Sequence, residues 1–449
     1  MTTLLVTALA LSINVTTPLE LTEADCIARV KSHHADLKVA DLQVESAKNK
    51  LKELESTFYP KLEVTTWIAP MFRVNGTALD TTVEYQFESL SDWGPYLHFE
   101  ARLVQIISTF GRFDGLQEAG QLNTKVEQAK RTLVESSLIT ETRRLVLAYR
   151  LALSLDKTVT TILETLDKAL AYARPAYAEG TGAITTIDIS RLEFGKSKAL
   201  TFQAMLNEQV ALIEQGLRFL LHFDNQTALT FKLEKLPRLR AIPATPPFAT
   251  LLDAAQTHRA EWTQLRSGQA AYAKLGEVEE KNLYLPYLFA AGEFSADWTA
   301  VRDDTPNPYH YDPYNGTWGG VALGLRWNLD WAKTQAQIDH WKLEGQKLDA
   351  LEAKLSTGIE AQITALTVEA SQARKRGDIM RLGAKAARKW MLSASAGFSL
   401  GTASARDLLE GVLAYSEAKL GESSAAYDLL LARVELDRAL GIPLEAIGD

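Results

Sequence analysis

The fourteen prolines constrain this chain more than any other feature, because they are so unevenly spread. None lies between Gly111 and Arg174, between Ala176 and Leu236, or between Tyr314 and Ile442. A proline inside a helix removes a hydrogen bond and costs about 3 kcal/mol. Long proline-free windows rich in Ala, Leu, Glu, Lys and Gln therefore predict long helices. From Arg112 to Ala173 alone, such a helix would run about 90 Å at 1.5 Å per residue. A helix of that length needs a partner along its extent, and the apolar spacing supplies one. Leu122, Val126, Ala129 and Leu133 step by four, three and four, and Leu348, Leu351, Leu355 and Ile359 do nearly the same. Leu413, Leu420, Tyr427, Leu431 and Val434 step by seven, seven, four and three. These spacings fit coiled-coil-like packing and equally an ordinary helical bundle.

Two segments in each half break the helical pattern. Lys61 to Ala69 follows Pro60 and alternates, and Tyr96 to Leu103 alternates more clearly. Leu97, Phe99, Ala101 and Leu103 would share one face of a strand, with His98, Glu100 and Arg102 on the other. Tyr287 to Trp298 follows Pro286. Beyond it Val321, Leu323, Leu325, Trp327 and Leu329 alternate with Ala322, Gly324, Arg326 and Asn328. An apolar face opposite a polar one suits a membrane β-barrel and also a soluble half-buried sheet. Trp67, Trp298, Trp318 and Trp327 fall at strand ends or faces, where an interfacial belt or core packing would use them.

Composition narrows the function. The net charge is −8, with 48 basic and 56 acidic residues, so there is no basic excess of the kind nucleic-acid binders show. The single cysteine, Cys26, allows neither an intramolecular disulfide nor a thiolate metal cage, and reads as a small apolar helix residue. No apolar run approaches 18 residues, which excludes a spanning helix but not barrel strands. His33 and His34 are adjacent, so on a helix they point apart and cannot share an ion. No His-Glu-x-x-His spacing, phosphate loop or nucleophile elbow is present. The residues thus predict no catalytic site, no metal and no cofactor. Leu4 to Ile13 is short and apolar, and residues 1–17 read as a signal segment or an ordinary N-terminal element.

The two halves are one unit repeated. Ala35 matches Ala260 at an offset of 225 and Pro60 matches Pro286 at 226. Gly182 and Gly401, Asp188 and Asp407, Leu217 and Leu436, and Leu221 and Leu440 all match at 219. The drop of seven falls between the strands. Each unit reads short helix, helix, strand, loop, strand, long helix, tight turn, long helix. The first repeat covers residues 18–235, with strands over about 61–69 and 96–110 and long helices over about 112–173 and 187–222. A proline-rich linker, 236–247, leads to the second repeat, 248–444. Its strands lie over about 287–298 and 318–329 and its long helices over about 331–393 and 405–440, followed by a tail of residues 445–449.

From about Leu19 to Leu444 these features resemble the TolC-type outer-membrane efflux channel family, the outer membrane factors. The most specific likeness is the duplicated turn between long helices. It stands here as Gly182-Ala183-Ile184-Thr-Thr-Ile-Asp188-Ile189 and Gly401-Thr402-Ala-Ser-Ala-Arg406-Asp407-Leu408. Similar too are Pro60 and Pro286, which open the first strand of each half, and the Thr109-Phe-Gly-Arg112 exit from the second strand. One departure is His34-Ala35 and Arg259-Ala260, where the family often has Asn-Pro. The resemblance implies a mainly α fold with a membrane β-barrel portion, each chain giving two β-hairpins. A homotrimer would close a twelve-stranded barrel in the outer membrane of a Gram-negative bacterium, continued by an α-helical periplasmic tunnel. It implies a passive exit duct, not an enzyme. The partners would be two further chains, outer-membrane lipid, a periplasmic adaptor gripping the two turns, and an inner-membrane transporter that supplies the energy. Asp407 and Glu410 match an acidic pair ringing the periplasmic aperture. The family's basic lock position falls on Ala403, which leaves Arg406 acting through Asp188 as the candidate lock, or no lock. The alternative is a long coiled-coil structural protein of the cell envelope without channel activity.

Overall fold

In the computed structural model, residues 19–75, 84–86, 89–179, 184–224, 227, 229–302 and 314–446 are described. The chain opens with β1 (Leu19–Leu21), α1 (Glu23–His33) and α2 (Ala35–Ser56). Then come β2 (Lys61–Asn75), β3 (Glu84–Gln86), β4 (Trp93–Ser108), and the long helices α3 (Arg112–Ala178) and α4 (Thr186–Leu220). After β5 (Leu229–Phe231) the order returns as α5 (Phe248–His258), α6 (Ala260–Tyr284), β6 (Tyr287–Thr299), β7 (Gly316–Arg326), α7 (Trp331–Ser399) and α8 (Ala405–Leu440). Residues 1–17 lie outside the described part. Helix α3 continues through Pro175, since a proline in the last turn forfeits only one hydrogen bond and its own carbonyl still accepts from Glu179 N at 3.0 Å. The described residues form two compact units, one drawn from 1–42, 128–263 and 352–449, the other from 43–127 and 264–351.

The second unit holds an antiparallel sheet in the order β3-β2-β4-β6-β7. Each repeat contributes one hairpin, and β4 joins β6 to make them continuous. Arg112 ties the repeats together where the sheet ends. Phe110 and Gly111 both take positive φ (53° and 81°), which turns the chain sharply out of β4. The nearly buried Arg112 guanidinium then donates to Asn282 Oδ1 at 2.7 Å and to the carbonyl of Pro286 at 2.6 Å. Pro286 thus immediately precedes β6 and also accepts from Arg112, the first residue of α3, four residues beyond the end of β4.

In the first unit each repeat closes on its own core. Leu217 and Leu221 pack with Cys26, Val30 and Val146, while Leu436 and Leu440 pack with Leu251, Ala255 and Ile363. Cys26 and Leu251 are equivalent at the offset of 225, and both are completely buried. Burial and nearby acids push the Cys26 thiol up to about 11, so it stays protonated and inert. A small parallel sheet of β1 and β5, not foreseen from the sequence, closes the first repeat. Three residues per strand are too short to show a period. The linker is docked: Leu239 and Ile242 are buried against Ala370, Ala373 and Leu429. Arg374 donates to the carbonyls of Ile242 and Pro243 at 2.8 and 2.7 Å.

Helix α2 starts without the Asn-Pro cap, and two imidazoles replace it. The N–H of Asp36 donates to His34 Nδ1 at 3.2 Å, and that of Ala35 donates to His222 Nε2 at 3.3 Å. The rings meet edge-on at 4.9 Å. An imidazole nitrogen accepts only when unprotonated. Burial holds the His34 pKa below its ordinary value, and His222 adds to this while Asp36 opposes it. Between the lowered folded value and the unfolded one, the unfolded chain binds the extra proton. This contribution is therefore complete above about pH 6.5 and declines as pH falls below it. The expected result is a melting temperature that drops between neutral and mildly acid pH. His34→Asn, which keeps an N-cap acceptor but cannot titrate, should flatten that drop in a thermal-melt series.

Candidate functional site

The two turns between long helices use the same local chemistry. Ser404 is the N-cap of α8: its Oγ accepts from Asp407 N at 3.2 Å and donates to Asp407 Oδ2 at 2.6 Å. Asp407 Oδ2 also accepts from Ser404 N at 3.0 Å. Thr185 and Asp188 repeat this box at the start of α4, at 3.2, 2.6 and 3.1 Å. The aspartates are thus the third helical residues of capping boxes whose caps are Thr185 and Ser404. The hydroxyls, not the conspicuous aspartates, are the caps. The Ser/Thr-x-x-Asp spacing was the signal that could have found them. Hydrogen bonds from the Ser404 side chain and backbone hold the Asp407 carboxyl below the ordinary carboxylate range. Its capping contribution therefore persists above that range and is lost as pH falls through the lowered value.

Of the turn residues singled out, Gly182 and Ala183 lie outside the described residues. Gly401 takes φ 72°, and beside it Thr402 N returns to the carbonyl of Gly397 at 2.8 Å, a helix C-terminus that glycine permits at no steric cost. Ile184 and Leu408 belong to one core with Leu166, Leu192, Met391 and Phe398, against which Ile189 packs. The two turns, 219 residues apart in sequence, are therefore neighbours at one end of the helical unit. Close backbone approach there depends on Gly411, where a Cβ would sit 3.0 Å from Met391 Cα.

The acidic pair is internally engaged. Asp407 is in its capping box, and Glu410 accepts from Arg406 Nε at 2.8 Å, one turn apart on α8. Asp188 has Arg191 at 4.0 Å beside its cap. Arg406 thus meets Glu410 within the chain and leaves Asp188 to Thr185 and Arg191.

The sheet supplies the second functional element. Its register puts Leu62 opposite Leu103, Ile68 opposite Leu97, Ala101 opposite Phe294, and Gly292 opposite Val321. This face is apolar and bare, with Leu62 66%, Leu323 74% and Val321 92% exposed. The other face pairs Glu63 with Arg102, Arg102 with Glu293, His98 with Asp297, and Tyr287 with Arg326. His98, Glu100, Arg102 and Arg326 all lie on it. Asp297 Oδ1 accepts from Tyr96 OH at 2.5 Å and lies 2.7 Å from His98 Nδ1. Arg102 pairs with Glu100 at 3.0 Å and Glu293 at 3.2 Å. Trp298 is on the apolar face, but Trp67 and Trp318 are opposite His98 and Ser295 on the charged one. A tryptophan belt facing outward is thus not formed by all four.

Among the described residues no helix is long and apolar enough to cross a membrane, and no group of His, Cys, Asp or Glu is placed to hold a metal. No family model and no curated protein matches the sequence. Solved structures do match the fold. CusC, studied for folding and transmembrane channel formation, superposes with a TM-score of 0.73 at 12% identity over 94% of this chain and 92% of its own. The outer membrane protein VceC of Vibrio cholerae gives 0.71 at 16% identity over 94% and 96%. The CmeC outer membrane channel of Campylobacter jejuni gives 0.71 at 14% over 93% and 85%. The chain has the fold of these channels.

Two outcomes follow for the turns. Thr185→Ala and Ser404→Ala should each cost about 1 kcal/mol in chemical denaturation, as loss of an N-cap does. Gly411→Ala should lower the melting temperature even though alanine is favoured over glycine in a helix by about 1 kcal/mol, because the added methyl meets main chain that cannot move aside.

Proposed function

We propose that this chain is a passive outer-membrane exit duct that works as a homotrimer. The observation that carries the proposal is the sheet: one face apolar and exposed, the other lined with paired charges, in a chain with the fold of outer-membrane channels. A soluble sheet buries its apolar face. Among the described residues nothing of its own chain buries this one, and its edge strands leave backbone groups unpaired. Four long strands per chain are too few for a barrel, since about eight already give only a side-chain-filled interior. Three copies supply twelve, with lipid against the Leu97, Phe99 and Val321 face and water against His98, Arg102 and Glu293. The long helices would form the periplasmic tunnel of such a trimer. Their turns, from Gly182 to Ile189 and from Gly401 to Leu408, would be gripped by a periplasmic adaptor, and an inner-membrane transporter would drive cargo through. No cofactor enters this scheme.

At the aperture, three copies of Asp407 and Glu410 would gather carboxylates around a narrow mouth, favouring cations. Arg406 tempers this by neutralising Glu410 locally. The alternative, an envelope coiled coil without channel activity, leaves the exposed apolar face unexplained.

The test is purification in detergent followed by reconstitution into planar bilayers. Trimers by native mass spectrometry and stepwise conductance support the duct, and recovery as a detergent-free monomer contradicts it. Phe99→Arg should cost insertion about 2–4 kcal/mol near the membrane midplane. Thr65→Lys, on the charged face opposite Glu100, should assemble normally.

A further inference from the structure

In a chain of net charge −8, one cleft of about 550 Å³ gathers positive charge. Lys157 comes from α3, Lys235 and Arg238 from the linker, Arg388 from α7 and Lys419 from α8. Glu422 is the single acidic residue in the lining, and Lys419 holds it at 2.8 Å. Many other cations of this unit have ion-pair partners, among them Lys31 with Glu135, Arg143 with Asp437 and Arg376 with Asp428. The side chains of Lys157, Lys235, Arg238 and Arg388 have no ion-pair partner among the described residues. These four exposed cations around one cleft are placed to converge on a single bound anion.

The cleft is held in place. Leu236 N donates to Ser154 Oγ at 3.1 Å, and Arg150 Nε donates to the carbonyl of Glu234 at 2.9 Å. Leu239 is buried over Gly377, where a Cβ would come within 2.7 Å of its side chain. The backbone carrying Lys235 and Arg238 is therefore fixed before any ligand arrives, which lowers the cost of binding. Ser423 adds a hydroxyl donor to the lining, whereas Thr158 and Thr161 already donate theirs to the carbonyls of Ser154 and Lys157, at 3.4 and 3.0 Å.

We infer that this cleft binds a small polyanion bearing phosphate groups, either free or as the headgroup of a phosphorylated glycolipid. A single carboxylate would leave most of the charge unanswered. Two or more phosphates match four cations, and the planar Arg238 and Arg388 guanidiniums suit phosphate oxygens. The site is independent of the turns and the sheet, so it stands apart from the duct reading.

Isothermal titration of the full-length protein with sodium pyrophosphate tests it. Saturable one-site binding that weakens with added salt is expected. Arg388→Gln and Lys157→Gln should each weaken it about tenfold, the loss of one charge-assisted contact. Lys385→Gln, an exposed cation on α7 outside the lining, should leave it unchanged. Displacement of pyrophosphate by micelles of a phosphorylated glycolipid supports the site and assigns it to a headgroup; failure to displace supports a free ligand. Three results overturn the inference: no saturable binding, equal weakening by Lys385→Gln, or tighter binding of a polyglutamate peptide, which would make the cleft a seat for an acidic protein segment. Unchanged circular-dichroism melts confirm that the variants are folded.

Discussion

A β-sheet must satisfy its edges and cover its apolar face, and here the described residues of one chain do neither. The two hairpins meet at β4 and β6 and stop. Leu62 and Val321, near opposite edges, stand bare on the same face. In water such a surface invites aggregation. In a membrane it is the required surface, provided the sheet closes on itself. The charged face then has to be inside, and its pairing is consistent with that: Asp297 is bound by Tyr96 and His98, and Arg102 sits between Glu100 and Glu293. On the proposed barrel, oligomerisation would follow from the strand number.

Duplication explains most of the rest. Each repeat brings one hairpin, one leucine-closed core and one capped turn, and the two turns share a core through Ile184 and Leu408. The repeats also differ where their chemistry differs. A histidine pair caps α2, while Arg259 at the equivalent start of α6 reaches Glu261 and Gln362. Cys26 stands where the second repeat has Leu251. The linker is held by arginines at proline-flanked carbonyls, because a proline-rich segment has few N–H donors of its own and needs donors from outside.

Features governed by local rules were legible in the sequence. Proline-free windows became long helices, and period-two alternation placed His98, Glu100, Arg102 and Arg326 on a common face. Matching leucines at the offset of 219 became paired cores. What could not be read depended on distant contacts. The β1–β5 pairing joins segments about 210 residues apart and too short for a pattern. The role of Pro286 as acceptor for Arg112, the docking of Leu239 over Gly377, and the basic cleft all arise only when separate segments meet. The capping hydroxyls of Thr185 and Ser404 are legible by their Ser/Thr-x-x-Asp spacing. The Arg406–Glu410 pair was available as an i,i+4 spacing, but weighing Arg406 against Asp188 favoured a longer-range contact.

The central claim is that alternate residues of one strand face lipid and water. Single cysteines along β4, in a Cys26→Ser background, test it directly. Leu97→Cys, Phe99→Cys and Leu103→Cys, labelled with a fluorophore, should be quenched by brominated lipid in reconstituted membranes. His98→Cys, Glu100→Cys and Arg102→Cys should instead react with a charged water-soluble thiol reagent. A two-residue alternation in both readouts is expected. Uniform aqueous reactivity along the strand, with no lipid quenching at any position, would contradict the membrane barrel and return the sheet to water.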